Sequence, residues 1–516
     1  MKKIYYSVIF SLAFSLFSCS DFLDRESLSE LSNGNFWNTE ADATKALVGC
    51  YDALQSEGSL GFCWPGDKTC SLRELEFATD NGYFAWIPWV GPDVITNNTM
   101  SPTSAVTKAV WNASYTGIAR CNNVIEKVPQ MLEAGKISEE AGTRIVCEAK
   151  FIRALFYNHL TSLYRDVPKV FNVLTTETSQ VPKSPKSEII ADIVKDLKDI
   201  TAEGMLLVTA DRGRATRGAA LGLLTRVYLY NEMYKEAADA AAQVMSLGYI
   251  IDPNYSTLFT EAGGASKEIV FAIRFKNTDQ QNGEGGFLAY NYGYPMEWQL
   301  PYPNLANDFY CKDGKPITSS EIYDPNDDST RDPRLTYTLM TKNGDTYDGK
   351  VSDAWWSWNS PFQLFMRKYQ NQPTTWTADN QDMYVIRYAD VLLMRAEALA
   401  KQNTGKDEIM SLVNQVRQRA DVMMPKVEDA EGSNLSYDQL LDVVKHERRV
   451  ELALEGTRYF DLMRWKEMDR AYERCRADGG AGSHVFDSSK GYVWPIPQSE
   501  LDNNRALVQA PEWGGK

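Results

Sequence analysis

Residues 214–247 read RATRGAALGLLTRVYLYNEMYKEAADAAAQVMSL. Ala219, Leu223, Val227 and Tyr230 fall three or four apart, a short turn intervenes before Tyr234, and Ala237, Ala241 and Met245 resume the spacing. That period marks two helices, each with one apolar face, closed by Gly248. The unit is about 34 residues long, the length of a tetratricopeptide hairpin.

The same pattern extends in both directions. Residues 40–57 predict a helix capped by Thr39, and 104–127 predict another. Over 138–164, Ile145, Ala149, Ile152, Phe156, Leu160 and Leu163 trace one buried face; Ser138 starts this helix and Asp166-Val167-Pro168 stops it. A further helix is predicted over 186–203. Later pairs run Tyr384–Ala400 with Lys406–Asp421, broken at Gly405, and Tyr437–Glu455 with Arg458–Arg474, broken at Gly456. The expected fold class is therefore mainly α, with about four tetratricopeptide-like helical hairpins. Its scaffold lies mainly in 36–250 and 380–475. Between about 250 and 380 Gly, Pro, Asn, Asp and Tyr cluster, and only Glu268–Phe275 reads as a strand. This loop-rich region is the expected ligand-binding subdomain.

The chain has 516 residues, with 54 Lys and Arg against 69 Asp and Glu, a net charge of −15. That balance argues against nucleic acid, whose phosphates need a basic face, and against electrostatic docking on anionic lipid. The load of 13 Trp and 27 Tyr exceeds what a core usually requires, and it points to a ligand-facing subset.

Met1-Lys2-Lys3, the apolar run Ile4–Phe17 and Ser18-Cys19 have the parts of a secretory signal over residues 1–18. Cys19 directly behind Leu16-Phe17-Ser18 resembles a bacterial lipobox, in which the sulfur is acylated and anchors the mature chain, 19–516. Among the other seven cysteines, Cys63 and Cys70 are the one local pair to consider for a disulfide. Cys121 and Cys147 fall on predicted helices and read as small buried hydrophobes.

Catalytic machinery is not visible. His159, His446 and His484 are isolated, no paired-histidine metal motif exists, and Gly264–Glu268 lacks the second glycine of a nucleophile elbow. Gly344–Lys350 imitates a phosphate loop, but Val351 stands where Ser or Thr is required. Asp324–Asp328 starts like a calcium loop, yet Ser329 and Leu335 replace its glycine and glutamate. No enzyme activity, metal or cofactor is expected.

Long segments then carry a resemblance. They include Asn307–Ile317, Arg331–Leu335, Phe365–Tyr369, Ile386–Ala398, Arg448–Trp465, Trp494–Leu501 and Gln509–Trp513, with Cys19–Asp24 and Phe36–Ala43 at the start. In that order and spacing they resemble the SusD/RagB family of outer-membrane nutrient-binding lipoproteins. Asp390 and Ala510 depart from the residues usual there. The resemblance implies a lipid-anchored, surface-exposed protein of the cell outer membrane. It also implies a non-catalytic partner of a SusC-like TonB-dependent outer-membrane transporter, to which it delivers a captured oligosaccharide ligand. A peptide-binding member of the family and a surface glycosidase are the alternatives. Arg448, Arg449, Glu451, Glu455, Arg458 and Asp461 read as a packed ion-pair network rather than a site.

The ligand face is argued from chemistry. A sugar ring offers an apolar face to Trp and Tyr and a hydroxyl rim to Asp, Asn and Arg. Two segments outside strong helix patterns supply that mixture. One carries Asp80, Asn81, Trp86 and Trp89; the other carries Tyr290, Tyr292, Tyr294, Trp298, Trp355, Trp356 and Trp358, followed by Trp376. Asp80, Asn81, Trp86, Trp89, Tyr290, Tyr292, Trp298, Trp355, Trp356 and Trp358 are the expected carbohydrate-binding residues. Trp37, Trp111, Trp465, Trp494 and Trp513 fall on helices or shared motifs and are expected in the core.

Overall fold

Thr39 opens the first helix through a reciprocal cap. Its Oγ1 accepts from the Asp42 backbone N–H at 3.3 Å, while the Asp42 carboxylate accepts from the Thr39 N–H at 3.0 Å. The structure is a computed structural model that describes residues 36–61, 68–85, 91–202, 204–276, 299–343, 361–369, 380–480 and 484–515.

Helix α1 (Glu40–Asp52) packs on the hairpin of α2 (Ala105–Glu133) and α3 (Glu139–Tyr164). Ser138 caps α3 by accepting from Ala141 N–H. Helix α4 (Lys186–Thr201) bridges α3 to α5 (Arg217–Tyr230), which forms the second hairpin with α6 (Tyr234–Met245). Near the centre lies α7 (Tyr388–Lys401), against α6, α8 (Lys406–Arg417) and α9 (Tyr437–Glu451). Every residue of α7 is buried except Arg395 and Lys401, as its Ala- and Leu-rich circumference requires. Gly405 turns α7 into α8 with φ of +69°.

Two expected boundaries move. The helix expected from Tyr384 begins at Tyr388, because Met383–Arg387 is a strand whose Tyr and Val favour extended backbone. The arm expected over Arg458–Arg474 splits at Lys466, in the left-handed region, into α10 (Arg458–Trp465) and α11 (Met468–Ala477). The helices are thus three close hairpins and a looser fourth, in which Arg448 of α9 reaches Asp461 of α10 at 3.0 Å.

The strands form short ribbons. β1 (Gly82–Phe84) pairs antiparallel with β3 (Gln299–Pro301), and β2 (Ile269–Ile273) with β6 (Met383–Arg387). β4 (Leu339–Thr341) pairs with β5 (Leu364–Met366), which packs on β3. One continuous apolar core runs beneath helices and ribbons and holds Trp111 and Trp494; Trp37 and Trp513 pack on it partly buried. Cys50, Cys70, Cys121, Cys147, Cys311 and Cys475 are buried free thiols; Cys63, the other half of the local pair with Cys70, lies outside the described residues.

Two helical glycines separate packing from propensity. A Cβ on Gly117 of α2 would sit 2.1 Å from the Phe156 ring of α3, whereas one on Gly49 of α1 would meet nothing within 4 Å. Gly117→Ala is expected to cost about 1–3 kcal/mol through overpacking. Gly49→Ala is expected to add about 1 kcal/mol through helix propensity. Urea unfolding of both variants checks the opposite signs.

Candidate functional site

Of the tryptophan-bearing segments outside the described residues, three, 86–90, 277–298 and 344–360, have an end beside the ribbons that is described. Phe84 at the end of β1 faces Gln299 at the start of β3, so the first segment departs beside the return of the second. Thr341 of β4 faces Leu364 of β5 across the base of the third. Phe362, on the way into β5, joins the two ribbons: its ring centre lies 5.9 Å from Tyr83 and 6.0 Å from Tyr302, which are 4.9 Å apart. Each of the three segments therefore has one end at one aromatic cluster. Trp86, Trp89, Tyr290, Tyr292, Tyr294, Trp298, Trp355, Trp356, Trp358 and Trp376 lie outside the described residues.

Asp80 and Asn81 do not belong to a ligand face. Both are fully buried, and their polar atoms are committed to the scaffold. Asp80 accepts from Arg458 Nε at 2.9 Å and Arg474 Nε at 2.7 Å and pairs with Arg449 at 3.2 Å. Burial alone would raise its pKa, but Arg449, Arg458 and Arg474 hold it well below the ordinary carboxylate range. Asn81 donates to Glu76 at 2.7 Å and accepts from Arg449 Nε at 3.0 Å. A loop-like sequence, Asp80-Asn81-Gly82, suggested solvent; three arginines arriving from more than 360 residues away in the chain make it core. These residues fix the root of β1.

The expected ion-pair network is present and wider than its sequence signal. Glu451 accepts from Arg419 at 2.7 Å, Arg334 at 3.0 Å and Arg387 at 3.1 Å. Lys368 donates to Glu455 at 2.7 Å and to the carbonyls of Ala453 and Glu451 at 2.9 and 3.2 Å. Arg387 bridges Glu455 and Glu268, and Arg419 reaches Glu268 at 2.6 Å. Burial opposes the Glu451 charge, yet Arg419, Arg387, Arg334 and Lys368 lower its pKa to about 2. A neighbouring set joins Arg448 to Asp390 and Asp461, and Arg464 and the Trp465 indole to Glu397. Glu76 ties both regions to the ribbons by accepting from the backbone N–H groups of Leu454, Gly456 and Arg458.

The histidines are structural. Burial, then Arg226, lowers the His159 pKa to about 3. His446 stacks on Tyr310 at 4.0 Å, and His484 lies 3.0 Å from the Tyr302 hydroxyl. Among the described residues no group of three His, Cys, Asp or Glu is arranged to hold a metal ion. A separate cleft of about 660 Å3, lined by Arg165, Lys186, Lys466 and Tyr492 among others, has no counterpart in the sequence reading. Positions so far apart share no pattern that would reveal it.

Residues 267–513 match the SusD family, and residues 21–229 match a SusD-like family described as starch-binding and associating with the outer membrane. The chain belongs to the SusD/RagB family. It is 26% identical over 540 aligned residues to a SusD-like protein of Formosa agariphila, covering 98% of this chain and 99% of that one. It is 25% identical to the starch-binding protein SusD of Bacteroides thetaiotaomicron, covering 88% and 86%. A crystal structure of a SusD-like carbohydrate-binding protein from Bacteroides fragilis superposes with a TM-score of 0.79 at 29% identity, covering 92% of this chain and 99% of that one.

Removing one member of a buried ionic cluster strands the others. Glu451→Gln leaves Arg334, Arg387 and Arg419 short of charge and is expected to cost about 3–5 kcal/mol in guanidinium unfolding. A change under about 1 kcal/mol would show that the cluster is not structural.

Proposed function

We propose that this protein is a cell-surface glycan-binding lipoprotein, held in the outer membrane through Cys19. It captures an oligosaccharide and delivers it to a SusC-like TonB-dependent transporter, without chemical turnover. The observation that carries the reading is the common root of the three tryptophan-bearing segments on the Tyr83–Tyr302–Phe362 cluster. Segments that return to one rigid base can offer their indoles to a single ligand, and indole and phenol plates suit the apolar faces of sugar rings. Family membership and the carbohydrate-binding relatives support the ligand class.

Trp86, Trp89, Tyr290, Tyr292, Trp298, Trp355, Trp356 and Trp358 are the proposed contacts. Each Trp→Ala change is expected to weaken binding to the best polysaccharide of an affinity-gel panel that includes starch. By analogy with stacked bases the loss is about 1–3 kcal/mol per plate. Melting temperatures should stay near the parent, because a loop plate supports no core. Large stability losses with unchanged affinity would place these indoles inside. The same incubations should release no reducing ends; sustained release would make the protein a hydrolase.

The anchor has its own test. Acyl chains hold a protein to a bilayer at about 0.8 kcal/mol per buried methylene. A Cys19→Ala protein is expected to leave the outer-membrane fraction for the soluble one, and its retention there would remove Cys19 as the anchor.

A further inference from the structure

The cleft of about 660 Å3 opens where the end of α3, the start of α4, the α5–α6 turn and α10 meet the final stretch of the chain. Seven lysines and arginines line it against three glutamates, in a chain of net charge −15. Arg464 is paired with Glu397, Arg165 with Glu512, Lys445 with Glu467, and Lys490 has Asp487 at 3.9 Å. The ammonium groups of Lys186, Lys401 and Lys466 make no ion pair within 4.0 Å among the described residues, although the Lys186 backbone N–H donates to Asp166 at 2.9 Å.

Lys186 and Lys466 are the informative pair. Lys186 is half-buried at the start of α4, and Lys466 caps the end of α10. Burial, and then the Lys466 charge, lowers the Lys186 pKa against the opposing charges of Asp166 and Glu232; burial lowers that of Lys466 against Glu232, with Arg165 adding to the lowering. Lys186 is partly desolvated and Lys466 is exposed, and Glu232 is the one carboxylate of the lining that acts on both, so positive charge in the cleft stays in excess until an anion arrives. The backbone is also held in a costly form at this spot. Arg165, Glu232 and Lys466 have φ of +64°, +60° and +60°, and none is glycine. Such conformations persist where the surrounding structure enforces them. Tyr230, Trp465 and Tyr492 supply aromatic surface, and Lys466 Nζ lies 3.9 Å from the Tyr492 ring centre. The volume falls within the usual range for small-ligand pockets.

We propose that this cleft is a second ligand site, for an anionic saccharide unit whose carboxylate or sulfate docks between Lys186 and Lys466 while its ring lies against the aromatic wall. The ligand class rests on the glycan-binding reading above; the demand for negative charge rests on the cleft alone.

The test uses the mature full-length chain in titration calorimetry. The probes are a galacturonic acid oligomer for the carboxylate, a carrageenan oligomer for the sulfate, the best neutral glycan of the panel, and sodium sulfate. One charged oligomer is expected to bind, with affinity falling steeply as salt rises, and the arm that responds identifies the anion. In the Lys186→Gln/Lys466→Gln variant that affinity should fall at least tenfold. The ligand-free melting temperature should stay within a few degrees of the parent, because neither ammonium group makes an ion pair that the fold depends on. Neutral-glycan binding should be the same in parent and variant, so its absence from the parent counts against the loop site and leaves the charged arms to judge the cleft. The proposal is overturned if neither charged oligomer binds, if the variant binds as tightly as the parent, or if sodium sulfate binds as tightly as the oligomers.

Discussion

The protein depends on a carboxylate that has no water. Glu451 is fully buried, and only the simultaneous arrival of Arg334, Arg387, Arg419 and Lys368 makes its charge tolerable there. Each partner comes from a different element: the short helix Arg334–Thr338 before β4, the end of β6, the segment after α8 and the segment after β5. An apolar core accepts many near-equivalent packings, whereas a buried ionic cluster rejects any in which one partner is missing. The helices supply most of the buried area, and the cluster selects the arrangement in which the ribbons sit on α9.

The helices were legible because their signal is local. Apolar spacing, Thr39, Ser138 and Gly405 mark starts and turns within a few residues, and the structure keeps all of them. The error at Tyr384 has an equally local cause. Met383–Arg387 is apolar and short enough to suit either period, and its pairing with β2, more than 100 residues earlier, decides for strand. The charged motif around Arg448–Asp461 announced a network, but its partners Glu268, Arg334 and Arg419 lie 32 residues or more from Glu451 in the chain, and their part in it is spatial.

Site residues were harder to read for the same reason. Asp80 and Asn81 sit in a turn-like string that suits a hydroxyl-binding rim, and nothing within twenty residues warns of Arg449, Arg458 and Arg474. The error still says something about the site. Asp80 and Asn81 are the foundation under β1, and the proposed binding plates begin only beyond them in the sequence. Scaffold and recognition surface are thus adjacent in sequence and separated by burial.

The Asp80 cluster also dictates an order of events when the chain is made. Asp80 lies in the first sixth of the sequence, and the arginines that neutralise it lie in the last seventh. Until residues 449–474 exist, the β1 root has a carboxylate that must stay in water, so the ribbons cannot close over the aromatic cluster. A chain made from its N-terminus therefore stays open at this point through nearly its whole synthesis. It closes only when its final helices emerge.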